Sequence, residues 1–355
     1  MKKIFWNVFI FLIGSGFLLP AGYLFFYFGK FDGDPLIHVR YAEMGSRGAW
    51  FQFNAAEVTS GVTSFLWMFF GSAGWRVGGI KGCLFLYDFI IILSWVGGAV
   101  ILGFLVHRWC SSFRISLLAS VVFLGYPGIA ANGLTGMENM TFAFLVFVFV
   151  FLYCLRSDRG YASEKIWVIL LGFVLGLQIL TRPEGIVIAL GYAFFELIRF
   201  FKEKNRKIRK RILIDLLVVA LLSSAIVIPA WGFHFAVTGK VVPGSGIARL
   251  MSARRMATAV HVAGPIWVYL RTLIRLATFF PLLMGLGWGL FPRKFDSAPS
   301  RQSKKIHSAD SIKLSLLIVF SGIIFYTLIT GALHVNRYTI WIFGLATAVF
   351  FVQVD

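Results

Sequence analysis

The sequence predicts an all-α membrane protein whose chain crosses the bilayer many times. Hydrophobic residues make up 59% of the 355 residues, only 14% are charged, and the mean hydropathy is +0.82. So few charged side chains could not cover the surface of a soluble domain of this length. Apolar runs recur along the whole chain, and a run of about 18 residues or more is typical of a transmembrane helix. Composition therefore excludes a soluble protein.

The apolar runs predict about ten membrane-spanning helices. The first run follows a basic N-terminus and is too long for the core of a cleaved signal peptide, so we interpret it as a retained anchor. The stretch 64–74 is about half a span in length, and we expect an interfacial or re-entrant helix there. The ten predicted spans are 4–28, 83–106, 115–132, 139–155, 166–181, 185–201, 212–235, 267–290, 314–333 and 339–354.

The spans form a single predicted domain over residues 1–355, with no separate soluble domain. Two longer polar insertions interrupt them. The first is an outer loop at 29–82, which carries the interfacial helices, and the second is an outer loop at 236–266. No internal repeat is evident.

The net charge of +19 predicts an orientation in the membrane. In a soluble chain it would suggest nucleic acid, but here the Lys and Arg residues cluster in a few loops, as the positive-inside rule describes. The two densest basic loops are 202–211 and 291–313, and both fall in the cytoplasm when Met1 does. Treating 64–74 as a full crossing would place both outside. We therefore expect a cytoplasmic N-terminus.

This orientation places the chemically interesting polar residues at the outer face. Asp34 is the main candidate for a catalytic carboxylate, because it follows the first span and could accept a proton from an acceptor hydroxyl. Pro35 after it leaves open that Asp34 only caps a helix over 36–45. Glu138 is the second expected catalytic residue, because it lies in a very short connection between two spans, where an ionisable group indicates function. Glu57 is as consistent with a solvated loop acid as with a site residue.

Basic side chains accompany these acids on a face where positive charge is normally scarce, and a phosphate-bearing partner would explain them. Arg182 is also consistent with a residue that anchors its helix in the interface. The further residues expected to bind substrate are Asp32, Arg40, Glu57, Arg182, Glu184, Lys240, Arg249, His334 and Arg337.

Three other patterns concern ion pairs, disulfides and metal sites. Glu196 with Arg199, and Asp215 with Arg211, have the spacing of ion pairs along a helix near the cytoplasmic end. The three cysteines are widely separated, and no two histidines have metal-ligand spacing, so the sequence predicts no disulfide framework and no zinc site. Acidic residues paired at the outer face could bind a divalent cation together, so the sequence leaves open whether the protein uses one.

Six motifs follow one another along the chain. They are DPLIHVRYA (34–42), FNAAEVTSGVTSFLW (53–67), GMEN (136–139), TRPEG (181–185), GKVVPGSGIAR (239–249) and NRY (336–338). Taken in this order, they resemble the motifs of bacterial polyprenyl-phosphate-dependent glycosyltransferases of the GT-C membrane fold. The resemblance covers most of the chain and is nearest to the arabinofuranosyltransferase-like branch, with aminoarabinose and mannosyl transferases more distant.

The resemblance implies roles for particular residues. The first outer loop of such enzymes carries the catalytic aspartate within an acidic pair. Asp34 matches its second member, whereas Gly33 stands at the first and Asp32 is displaced by one residue. Arg249 matches a basic residue that meets the carrier phosphate. Relatives often continue beyond the tenth span, so we expect a short member or an incomplete gene product.

The expected function is an inverting glycosyltransferase of the bacterial inner membrane. It would move a sugar from a polyprenyl phosphate to a cell-envelope glycan or lipid on the outer face, with Asp34 as general base. Arg249, with Arg182 or Arg337, would stabilise the departing phosphate. Two alternatives stay open, namely a transporter or lipid flippase and an inactive scaffold that binds lipid carriers. A transporter would place ionisable groups near the midplane, often within inverted repeats.

Overall fold

The computed structural model describes residues 33–125, 133–158, 165–241, 310, 312–319, 321 and 340–354. Apart from one short hairpin, the elements bounded within these residues are α-helices, so the predicted all-α fold class is confirmed. In chain order the elements are α1 (Asp34–Ser46), β1 (Gln52–Asn54), β2 (Glu57–Val58), α2 (Phe65–Cys110), α3 (Phe113–Gly125), α4 (Asn139–Asp158), α5 (Lys165–Thr181), α6 (Gly185–Lys202), α7 (Arg206–Thr238) and α8 (Ile340–Val354).

Several of these helices have the composition of membrane spans. Among the described residues, α2, α4 and α7 are long and apolar enough to cross a bilayer. Helices α3, α5 and the described part of α8 are shorter but also apolar. The predicted spans 4–28 and 267–290 lie outside the described residues, as do most of 314–333 and residues 242–266 of the second outer loop.

Helix α2 combines two elements that the sequence separates. Gly78 and Gly79 have non-helical backbone angles, and Gly79 has φ +59°, which a side chain would disfavour. The chain turns there, and residues before the turn pack against residues after it. The Trp67 and Tyr87 rings stack at 4.6 Å, and the Tyr87 hydroxyl donates to the Trp67 carbonyl at 3.1 Å. The run 64–74 is thus a helical segment that packs on the following span.

Helix α4 lies at the centre of the bundle. It packs against α2, α5 and α8, and its aromatic residues Phe142, Phe147 and Phe149 are almost completely buried. The apolar sequence of α4 has no polar face, which is typical of a helix surrounded by other helices. Polar residues occur only at its two ends, and those ends carry the ionic clusters described below.

Helix α1 and the hairpin β1–β2 lie between the first predicted span and α2. Pro35 occupies the first turn of α1, but the capping position belongs to Gly33, so Asp34 is the first helical residue and not the cap. Gln52 pairs with Val58, and Asn54 with Glu57, in the antiparallel hairpin. The sequence predicts interfacial helices here but not this hairpin, because two short, exposed strands carry no hydrophobic alternation.

The basic stretch 202–211 is mostly helical and not the predicted loop. Helix α6 ends at Lys202 and α7 begins at Arg206, so only three residues connect them. The Asn205 side chain accepts a hydrogen bond from the Lys207 backbone N–H at 3.0 Å and caps α7. Hydropathy marks the start of the apolar part of a helix, whereas a cap marks the start of the helix itself.

Candidate functional site

A buried ionic cluster lies where α4 begins and α5 ends. At its centre is the guanidinium of Arg182, whose Nη1 donates to Glu138 Oε1 at 2.8 Å and also to Asn139 Oδ1. Its Nη2 donates to Glu184 Oε1 at 3.1 Å. Arg182, Glu138 and Asn139 are each less than 5% exposed. The structure thus brings together Glu138, Arg182 and Glu184, which the sequence places in two motifs more than forty residues apart.

The local backbone explains why Arg182 reaches this position. The Arg182 N–H still bonds to the Gln178 carbonyl at 2.8 Å, so α5 aims the side chain from its last turn. Pro183 follows, and α6 begins at Gly185 after a two-residue turn closed by a 2.9 Å bond from the Gly185 N–H to the Arg182 carbonyl. The tight turn keeps Glu184 within reach of the guanidinium.

The connection before α4 is held by a second contact. Trp67 is fully buried, and its indole N–H donates to the Gly136 carbonyl at 3.1 Å. This bond ties the start of α2 to the turn that carries Glu138 and Asn139. The first predicted outer loop and the GMEN motif are therefore neighbours in space.

Helix α1 contributes His38 to the cluster. His38 is buried, and its Nε2 lies 3.8 Å from Glu138 Oε2. Asp34 is four residues earlier on α1 and exposed, so it lies on the same side of the helix about one turn, or about 6 Å, away. The helix therefore places an exposed carboxylate one turn from the buried cluster.

Two polar atoms at the start of α4 have no hydrogen-bond partner within the described part of the chain. They are Glu138 Oε2, an acceptor, and Asn139 Nδ2, a donor. A buried polar atom without a partner destabilises a protein by about 1–3 kcal/mol. Neighbouring residues with one free acceptor and one free donor suit a hydroxyl group, which can donate and accept at once. The cluster is therefore suited to hold a hydroxylated ligand or a water molecule.

The contacts within the cluster join one guanidinium to two carboxylates and an imidazole. Arg182 pairs with Glu138 and Glu184, and His38 approaches the second oxygen of Glu138. No group of three His, Cys, Asp or Glu side chains with metal-binding geometry occurs in the region that the structure describes.

The other described candidates lie outside the Arg182 cluster. Arg40 donates from Nε to the Phe53 carbonyl at 2.8 Å and holds the hairpin against α1. Glu57 is exposed and accepts from the Asn54 amide at 2.9 Å. Lys240 is exposed just after the end of α7. Asp32, Arg249, His334 and Arg337 lie outside the described residues.

Two members of the cluster could have been chosen from the sequence. His38 stands one helical turn after Asp34, and Asn139 follows Glu138 directly in the GMEN motif. Neither is among the predicted site residues, because their contacts join parts of the chain that are distant in sequence. The approach of α1 to Glu138 reveals His38, and the contact with Arg182 reveals Asn139.

A second ionic cluster occupies the other end of α4. Arg156 is buried there, and its Nη2 donates to Asp215 Oδ2 at 2.8 Å while its Nη1 lies 3.5 Å from Glu196 Oε1. The predicted pairs Glu196–Arg199 and Asp215–Arg211 are confirmed, each at 3.0 Å. The sequence does not identify Arg156 as their common partner, because that contact joins three different helices.

The fold resembles that of two solved structures. Neither a protein-family model nor a curated protein sequence matches the chain. ArnT from Cupriavidus metallidurans bound to undecaprenyl phosphate matches with a TM-score of 0.66 and 13% identity over 98% of this chain. The apo state of the same protein matches with a TM-score of 0.63 and 15% identity over 97% of this chain. The chain spans 60% of the length of each of these ArnT chains.

This similarity establishes the architecture. The chain has the fold of ArnT, which is a GT-C membrane fold, and the predicted GT-C type bundle is thereby confirmed. At this level of sequence identity the reaction and the substrates do not follow from the fold.

Removing the guanidinium at the centre of the cluster should destabilise the protein strongly. Arg182→Met leaves the carboxylates of Glu138 and Glu184 buried without their counter-charge, which typically lowers the free energy of unfolding by about 3–5 kcal/mol. Arg47→Met removes an exposed partner of Glu43 and should change it by less than about 1 kcal/mol. Unfolding in mixed micelles, followed by tryptophan fluorescence, measures both values.

The double variant Arg182→Met/Glu138→Gln provides the control for this interpretation. Removing one buried carboxylate together with the guanidinium should restore part of the lost stability. An Arg182→Met variant as stable as Arg47→Met would contradict the cluster described above.

Proposed function

We propose that the chain is a membrane glycosyltransferase that moves a sugar from a polyprenyl phosphate to a cell-envelope glycan or lipid. The observation that carries this proposal is the buried cluster of Glu138, Asn139 and Arg182, next to the exposed carboxylate of Asp34, within a bundle of ArnT-like fold. The similar ArnT structure is described as bound to undecaprenyl phosphate. The chemistry of the cluster fits a hydroxyl-rich substrate near a membrane.

Asp34 is the proposed general base. It lies on the same helix as His38 and is exposed, so an acceptor hydroxyl can approach its carboxylate. The acceptor oxygen attacks the anomeric carbon of the donor sugar while Asp34 takes the hydroxyl proton. The bond between that carbon and the phosphate oxygen breaks, and its electron pair leaves with the polyprenyl phosphate. A single displacement of this kind inverts the configuration, since retention would require an additional nucleophile.

Arg182 acts in this proposal by positioning Glu138. Its Nη1, Nη2 and Nε atoms all donate to Glu138, Asn139 or Glu184, so the guanidinium is already committed to protein groups. Stabilising the negative charge that grows on the leaving phosphate is assigned to three other cations of the predicted site. These are Lys240, Arg249 and Arg337.

Glu138 and Asn139 are proposed to hold a hydroxyl of the donor sugar. A sugar hydroxyl can donate to Glu138 Oε2 and accept from Asn139 Nδ2, which both lack a hydrogen-bond partner in the described residues. A divalent cation bound by Glu138 would be the alternative use of the same carboxylate oxygen. Asp32, Arg40, Glu57, Glu184 and His334 complete the proposed substrate-binding residues.

We place this reaction at the outer face of the bacterial inner membrane, with the N-terminus in the cytoplasm. The distribution of charge at the two ends of α4 supports the placement. The Arg156 end adjoins the seven basic residues of 202–211, which the positive-inside rule assigns to the cytoplasm. The Glu138 end carries the hydroxyl-binding cluster.

Replacing the proposed base should abolish sugar transfer without abolishing carrier binding. The purified full-length chain would be offered a panel of polyprenyl-phosphate sugars with and without EDTA. Asp34→Asn should lower turnover by about 10²–10⁴-fold, the usual contribution of a general base. Glu203→Gln makes the same chemical change in the connection between α6 and α7, away from the Arg182 cluster, and is the control that should retain activity.

Each outcome of this experiment bears on the proposal. Equal turnover by the wild-type chain and Asp34→Asn would reject Asp34 as the base. Carrier binding without transfer of any sugar would favour an inactive scaffold over an enzyme. Loss of sugar transfer by the wild-type chain when EDTA is added would show that the carboxylates act through a cation.

The proposed hydroxyl contact predicts a specific effect of Asn139→Asp. This change keeps an oxygen that can accept from Arg182 but replaces the donor Nδ2 by a second acceptor. The KM for the donor sugar should rise about tenfold or more, because a site built to bind a hydroxyl discriminates strongly when a partner is lost. Asn205→Asp makes the same chemical change at the exposed N-terminal cap of α7, where an aspartate can also cap the helix, and should leave KM unchanged. An unchanged KM in Asn139→Asp would show that Asn139 does not contact the sugar.

A further inference from the structure

The junction between α6 and α7 carries the densest positive charge among the described residues. Seven of the ten residues from 202 to 211 are Lys or Arg, and Glu203 is the only acid among them. All the basic residues except Arg211 are exposed. They are Lys202, Lys204, Arg206, Lys207, Arg209, Lys210 and Arg211.

Most of these cations have no acidic partner in the described part of the chain. Arg211 pairs with Asp215, and the Arg209 guanidinium lies 5.0 Å from the centre of the Phe200 ring. Glu203 accepts a hydrogen bond from the Asn205 backbone N–H. The five others are Lys202, Lys204, Arg206, Lys207 and Lys210, and none forms an ion pair with a described carboxylate. Their mutual repulsion favours an anionic partner from outside the chain.

The same side of α7 continues from these cations into an exposed aliphatic stripe. At 100° per residue, Arg206 and Lys210 share a helix face with Leu213, Ile214, Leu217 and Leu221, all within about 100° of one another. These four apolar side chains are 42–69% exposed. The buried residues of this part of α7 are Ile212, Asp215, Val219 and Ser223, which lie on the opposite side. The exposed face therefore has a charged end and an apolar end.

The dimensions of this face match one leaflet of a bilayer. Lys210 and Leu221 are eleven residues apart, which corresponds to about 17 Å along a helix. One leaflet contributes about 15 Å of hydrocarbon. A lipid whose phosphate reaches the basic residues could lay one acyl chain along the whole aliphatic stripe.

We propose that this face of α7 binds an anionic phospholipid. Arg206, Lys207 and Lys210 contact its phosphate, and Leu213, Leu217 and Leu221 contact its acyl chain. The surface is separate from the Arg182 cluster. Arg156, which contacts α7 at Asp215, is seventeen residues along α4 from Asn139, or about 26 Å. The proposal does not depend on the glycosyltransferase reaction.

The combination of charge and apolar surface selects a phospholipid over other anions. A soluble phosphate would use the cations but gain nothing from the aliphatic stripe. A zwitterionic lipid would use the stripe but offers no net charge to the five cations. Each cation near an anionic membrane surface strengthens binding by about fivefold, so the three phosphate contacts together account for about 100-fold.

Native mass spectrometry of the full-length chain in an uncharged detergent tests the proposal. The chain would be titrated with dioleoylphosphatidylglycerol, and separately with dioleoylphosphatidylcholine. The wild-type chain should bind phosphatidylglycerol preferentially, and Arg206→Gln/Lys207→Gln/Lys210→Gln should weaken that binding about 100-fold. The control Lys81→Gln/Arg114→Gln/Lys165→Gln removes the same charge from exposed positions elsewhere and should bind as the wild type does.

A second variant separates lipid binding from simple attraction of anions. Leu217→Ala/Leu221→Ala keeps every charge but removes part of the stripe, and it should weaken phosphatidylglycerol binding several-fold. Equal wild-type affinity for the two lipids would overturn the proposal. So would an equal loss of binding in the two charge variants, or full competition by inorganic phosphate. The comparison of the two lipids on the wild-type chain tests the proposal even if a variant fails to fold.

Discussion

The contacts of Arg182 are the constraint on which the rest of the structure depends. Bringing one guanidinium and two carboxylates into a bundle interior is unfavourable unless each charge meets a partner in good geometry. Arg182 meets this requirement with Glu138 and Asn139 at the start of α4 and with Glu184 from the turn before α6. The three helix ends cannot separate without exposing a buried charge, and His38 extends the constraint to α1.

Helix α4 carries a different ionic cluster at each of its two ends. Its Glu138 end has a donor and an acceptor that the described chain leaves unused, as expected where a ligand binds. At its Arg156 end, the guanidinium contacts Glu196 and Asp215, so this cluster ties α4 to α6 and α7. Between them the helix is apolar and buried, so it fixes the distance between the Arg182 cluster and the Arg156 cluster.

Most of the fold was predictable because hydropathy measures what the membrane itself requires. The apolar runs matching α4, α5 and α6 were predicted almost to their ends. The candidate site was predictable in part, since the connections containing Glu138 and Arg182 are short and polar. The sequence could not predict that the Arg182 guanidinium donates to protein side chains. Nor could it predict that His38 approaches Glu138, or that Arg156 contacts both Glu196 and Asp215. Each of these contacts joins residues distant in sequence, and local patterns do not contain them.

A structure of the full-length protein with a polyprenyl-phosphate sugar bound tests the central claim most directly. Electron cryo-microscopy in lipid nanodiscs would locate the sugar relative to α1 and α4. The account predicts a sugar hydroxyl within hydrogen-bond distance of Glu138 Oε2 and Asn139 Nδ2, with the anomeric carbon facing Asp34. A donor bound with its sugar remote from Asp34 and Glu138 would contradict the assignment of this cluster as the active site.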